Sequence, residues 1–162
     1  MFAVIGPISL VAASVKSATS VKKELTAAYL LQEALESARN IRDNKKLLGG
    51  PETGNDWLGT LVTACYPNKT CRVEINHGSA PTVSTCTDGA CVLRYEASTG
   101  RYGYNVNWVT SIYTRTLEVM PYTTTVGANT YKYAEIKATV SWPETNASNM
   151  RIIKATTTLY NW

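Results

Sequence analysis

The chain opens with fifteen residues, MFAVIGPISLVAASV, that carry no charge before Lys16. From Leu25 onward the pattern changes to apolar positions at helical spacing. Leu31, Leu35 and Ala38 step by four and three, and Ala27, Leu30, Ala34 and Ile41 widen the stripe. Charged residues such as Lys23, Glu33, Arg39 and Asp43 lie mostly off it. No Gly or Pro interrupts residues 8–48, Lys45 and Lys46 suit the negative end of a helix dipole, and Gly49-Gly50-Pro51 is a stop signal. The pattern predicts one long helix over residues 1–47: an apolar segment, 1–15, followed by an amphipathic half, 16–47. Gly6 and Pro7 are expected to break or kink it, because proline removes a backbone donor and clashes with the preceding turn.

The pattern after residue 48 is that of strands. CRVEI, residues 71–75, reads as a strand, and residues 76–88, rich in Gly, Ser, Thr and Pro, read as loop. CVLRYE and RYGYNV, separated by ASTG, read as a hairpin. Residues 111–120 alternate, with Tyr113, Arg115, Leu117 and Val119 on one face. Residues 121–129 read as a turn. Residues 131–142 alternate Ala134, Ile136, Ala138, Val140 and Trp142 against polar neighbours, and MRIIKATTTLYN is the return strand. The periodicity of WLGTLVTA, residues 57–64, is compatible with either a short helix or a strand. The expected class is therefore α+β: a long N-terminal helix on four or five antiparallel strands, with residues 48–162 as one head.

Composition adds the compartment. Cys65, Cys71, Cys86 and Cys91 are an even set, which in an exported chain reads as two disulfides. CYPNKTC and CTDGAC each hold a turn between close cysteines, favouring Cys65–Cys71 and Cys86–Cys91 among the three possible pairings. Neither pair has the two-residue gap of a zinc knuckle, and the single histidine, His77, is isolated, so no metal is expected. The net charge of +4 is spread out, and the seven basic residues on the helix interleave with four acidic ones, which reads as a solvated face.

The apolar segment with its Gly-Pro, followed by AAYLLQEALESARNIRDNKK, resembles the N-terminal helix of type IV pilins. The nearest likeness is to the minor-pilin-like prepilins of ultrasmall bacteria with reduced genomes. TRTLEV, KATVSW and the closing ATTTLYNW are similar to that family's last strands, and LRYEASTGRYGY to its Tyr-rich hairpin. The resemblance implies a helix laid on an antiparallel sheet, and self-assembly through Met1, Phe2, Val4, Ile5, Ile8, Leu10 and Val11. It implies as partners other copies of the chain, other pilins, and the cytoplasmic (inner) membrane before assembly. It places the product on the cell surface, as an extracellular filament for adhesion, twitching motility or DNA uptake. The chain departs from the family at Ile5, where an acidic residue is usual, and no acidic residue precedes Glu24. The fifteen apolar residues are also short of the roughly 20 of a membrane span, so the expectation is that a front end is missing. Methylation and the N-terminal Glu contact are carried to no residue.

No catalytic constellation is found. His77 has no elbow motif beside it, and there is no phosphate loop or dinucleotide fingerprint. No enzyme activity and no cofactor are expected. The best candidate binding surface is the hairpin set Arg94, Tyr95, Arg101, Tyr102, Tyr104 and Trp108, since aromatic and Arg side chains together stack on sugars or single-stranded DNA. The alternative to a structural subunit is thus a tip-located minor pilin or pseudopilin that binds a host surface or DNA.

Overall fold

A computed structural model describes residues 5–49, 54–75, 80–87, 89–144 and 149–161. His77, Asp88 and residues 1–4 lie outside them. The fold is α+β. Helix α1, Ile5–Leu48, is 44 residues long, about 66 Å at the usual rise. It ends where the sequence stops it, at Gly49 with φ +65°. Gly6 and Pro7 do not break it. The helix runs through both of them.

A single 3-10 turn, Asp56–Leu58, and a short helix α2, Thr60–Cys65, follow. WLGTLVTA is thus helical, and its buried Trp57, Leu58 and Leu61 pack beneath α1. Seven strands then build one antiparallel sheet among the described residues: β1 Cys71–Glu74, β2 Thr82–Thr85, β3 Val92–Glu96, β4 Arg101–Gly103, β5 Val109–Val126, β6 Asn129–Pro143 and β7 Met150–Tyr160. β5 is the hub. It pairs with β6 from Thr114↔Ser141 to Val126↔Asn129 on one edge, and with β3 and β1 on the other. β7 continues the sheet beyond β6, β2 beyond β1, and β4 beyond β3.

Three expectations are corrected. The stretch 76–88 is not all loop, because TVST pairs with β1; its Thr-Val alternation is short and flanked by Pro and Ser, which hid it. The stretch 121–129 is not a turn. β5 runs through Pro121 to Val126, and the turn is Gly127-Ala128, with Gly127 at φ +62°, as the first position of a two-residue hairpin loop favours. Beyond Leu117 the described register gives β5 a partner on one side only, and an edge strand tolerates proline. The strand count is accordingly seven rather than four or five.

The core lies between α1 and the sheet. Ala27, Leu30, Leu31, Ala34, Ala38 and Ile41 of the helix face Tyr113, Leu117, Val119, Ala134, Ile136, Ala138, Val140, Trp142 and Leu159 of β5 to β7. The alanines at 27, 34 and 38 have no exposed surface, so the helix backbone sits close to the strands. From Arg39 onward its cations hold the last strand and the residue after it. Arg39 donates to the Thr157 hydroxyl at 3.0 Å, Arg42 to the Tyr160 carbonyl at 2.7 Å, and Lys46 to the Asn161 side chain at 2.8 Å. The face read as solvated is therefore partly a set of clamps. Both disulfides have the expected pairing, Cys65–Cys71 joining α2 to β1 and Cys86–Cys91 joining β2 to the start of β3.

Candidate functional site

Two features stand out once the helix is seated, and the first is a buried charge. Arg115 lies in the inward register of β5, between Tyr113 and Leu117, and is 1% exposed. A guanidinium there needs partners in every direction. It donates to the Glu33 carboxylate at 2.5 Å and the Leu30 carbonyl at 3.3 Å on α1, and to the Val73 carbonyl of β1 at 3.0 Å. Its Nε reaches the Tyr104 hydroxyl at 3.4 Å, and that hydroxyl donates back to the Arg115 carbonyl at 3.3 Å. Burial alone would favour loss of the proton, but Tyr104 and Glu33 outweigh it and hold the pKa above its ordinary value. The side chain ties helix, β1 and β5 together.

Tyr104 itself is corrected by this arrangement. It is 5% exposed, lying between the Arg72 guanidinium, 4.9 Å from its ring centroid, and that of Arg115 at 5.6 Å. It is part of the core and not of a binding surface. The signal for both residues was present: Arg115 shares strand parity with Leu117 and Val119, and an arginine on an apolar face demands an acceptor on whatever covers it.

The second feature is a groove of about 660 Å³ between α1 and the β3–β4 hairpin. Thr26, Tyr29 and Glu33 of α1 line one wall, and Arg101, Tyr102, Gly103, Asn105 and Trp108 the other, with Glu74 and Ile75 at the end of β1. Arg101, Tyr102 and Trp108 are thus brought together as the sequence suggested. Tyr95 stands behind them, 5.2 Å from Tyr102 between ring centroids. The row continues inward from Tyr102 to Tyr113 at 5.6 Å, edge to face, and to Trp142 at 6.1 Å. Burial, and then the neighbouring Tyr95, raise the Tyr102 pKa. Burial also raises that of Tyr113, against a hydrogen bond from Thr26 that lowers it and Tyr102 that raises it. Arg94 does not reach the groove. It donates to the carbonyls of Val106 and Trp108 at 3.2 and 3.1 Å and so fixes the loop that carries Trp108.

The residues expected from the sequence to carry assembly lie at the start of α1 or outside the described residues. Val11 is exposed, and every residue from Ala13 to Lys22 is exposed as well. Ile5, Ile8 and Leu10 lie in α1 but their side chains are outside the described set, as are Met1, Phe2 and Val4 entirely. Among the described residues no helix is long and apolar enough to cross a membrane, and no group of three His, Cys, Asp or Glu side chains could hold a metal ion. No protein-family model matches the chain, and no curated protein or solved structure matches it.

Proposed function

We propose that this chain is a structural subunit, a pilin, of a type IV pilus-like extracellular filament, assembled by packing of its N-terminal helices. One observation carries the reading: among the described residues α1 has a second, exposed apolar face. Val11, Val15, Val21, Leu25 and Tyr29 are each more than half exposed, at 62, 61, 60, 53 and 64%. At the helical step they fall within about 120° of one another. That stripe lies opposite the one formed by Ala27, Leu30, Ala34 and Ala38 against the sheet.

A stripe of this length on a rod is best covered by rods of the same kind. Repetition of one contact by a screw operation gives an open fibre rather than a closed ring. The run of residues 1–15 carries no charge. The β-head then faces outward, and its two disulfides suit an oxidising exterior. The membrane holds the apolar segment before assembly. Such a filament would serve adhesion, twitching motility or DNA uptake.

The test is to purify the full chain in detergent, remove the detergent, and follow the product by light scattering and electron microscopy. Fibres with a core of packed helices are expected. A dispersed monomer in plain buffer, with residues 1–15 intact, overturns the reading.

A further inference from the structure

We propose that the groove between α1 and the β3–β4 hairpin is a binding site for a neutral oligosaccharide. It goes beyond the filament reading and does not require it, although Tyr29 belongs both to the groove wall and to the exposed stripe of α1.

The groove is built around the seat of one aromatic ring. Trp108 rests against Gly103 so closely that a Cβ on that glycine would lie 2.7 Å from Trp108 Cζ3. A side chain at 103 would therefore displace the indole. The ring is half-buried, with the groove on its open side. The loop beneath it is held without any ligand. Arg94 clamps two of its carbonyls, the Asn107 N–H donates to the Asn105 side chain at 3.0 Å, and the Trp108 N–H donates to the Asn105 carbonyl at 3.1 Å. A rigid aromatic platform set before binding is what a weak, multi-contact ligand needs, because little ordering cost remains.

The charges decide the ligand class. Among the described lining residues Arg101 is the cation, and Glu33 and Glu74 are the carboxylates. A nucleic acid or other polyanion needs an excess of cations on such a surface and would meet repulsion here. A cationic peptide would look for free carboxylates, but Glu33 is committed to Arg115 at 2.5 Å and Arg101 offsets Glu74. What remains is a balanced set of hydrogen-bonding groups, Glu74, Asn105 and Arg101, around an aromatic face. That combination suits a molecule with one apolar C–H face and a rim of hydroxyls. The volume, about 660 Å³, is that of an ordinary small-molecule site and has room for about two to three sugar rings.

The experiment uses the full chain in a polyoxyethylene detergent, which carries no sugar headgroup. Maltotriose, cellotriose and chitotriose are each titrated by saturation-transfer NMR, beside a hexathymidylate and a tetralysine peptide. At least one trisaccharide is expected to receive saturation on its ring C–H protons, and to bind equally well at low salt and at about 0.5 M salt. W108A and G103A should each weaken it by at least about tenfold. G103A is the sharper variant, since it moves the ring and keeps it, and Gly103 has no left-handed φ that alanine would strain. Thermal melting of each variant checks the fold, and V21S, outside the groove, should bind as the parent does. The proposal is overturned if none of the trisaccharides binds more tightly than about 10 mM. It is equally overturned if both groove variants bind like the parent, or if only the hexathymidylate or the tetralysine peptide occupies the groove.

Discussion

Helix α1 is one continuous element with two unlike halves. From Ala27 to Ile41 it buries Ala27, Leu30, Leu31, Ala34, Ala38 and Ile41 on the sheet, and its cations clamp β7. From Ala13 to Lys22 every residue is exposed. The first half is held by its own fold. The second satisfies its backbone along the helix and leaves a valine-rich face in the solvent. The residues differ accordingly: alanines where a sheet comes close, and Val, Leu and Tyr on the exposed stripe.

The largest effect should come from Arg115→Ala. It strands the Leu30 and Val73 carbonyls and leaves the Tyr104 hydroxyl short of a partner. Breaking a buried pair from one side costs about 3–5 kcal/mol. Urea unfolding of the head should show this loss, while Glu33→Gln, at a side chain 38% exposed, should cost distinctly less. Equal losses would mean that the carboxylate, and not the web of carbonyls, fixes the helix. Next is Ala38→Leu, in the fully buried seam between α1 and the sheet. Overpacking there should cost about 1–3 kcal/mol and lift the helix from β6 and β7. A neutral outcome in the same unfolding measurement would show that the helix can slide.

The packed half was the legible half. The spacing of Leu31, Leu35 and Ala38, the stop at Gly49, and the alternation from Ala134 to Trp142 are all direct images of a buried face. The cysteine pairing was legible too, because a short loop with a turn dipeptide leaves little choice. What escaped notice obeys different physics. Arg115 and Tyr104 are polar atoms on inward positions, and their acceptors are main-chain carbonyls, which no side-chain pattern displays. Pro121 was read by its interior penalty, yet it stands where that penalty vanishes, on an open strand edge. Gly103 gave no signal of its own, since its meaning depends on where Trp108 comes to rest.

At the boundary between the halves the Tyr113 hydroxyl donates to the Lys23 carbonyl at 3.2 Å. Tyr113→Phe should cost about 0.5–1.5 kcal/mol and raise hydrogen exchange upstream of Ala27 more than downstream. Alkali should act at the same place. The folded pKa values of Tyr113 and Tyr102 are raised above 10.0, so the fold prefers their neutral forms. That preference is fully present below pH 10 and is lost as pH rises through the raised values. Unfolding followed from pH 9 to 12 should show stability falling, and Y113F should flatten part of the fall. An identical slope in Y113F would move the cause elsewhere.

The smallest effect on the isolated chain is the most telling for the other half. A triple variant, V15S/V21S/L25S, removes three apolar side chains that are each more than half exposed. Because they touch neither the sheet nor the clamps, the stability of the head in detergent should change by no more than about 0.5 kcal/mol per site. Fibre formation after detergent removal should nevertheless be lost or greatly slowed, since each serine subtracts apolar area from every repeat of the contact. The matched control is K16S/K22S, which alters the same half of the helix but leaves its apolar face whole. If the triple variant polymerises like the parent, the stripe is an idle surface and assembly must run through the head. If it destabilises the monomer instead, the exposed half is packing against its own chain, and the division between the two halves of α1 disappears.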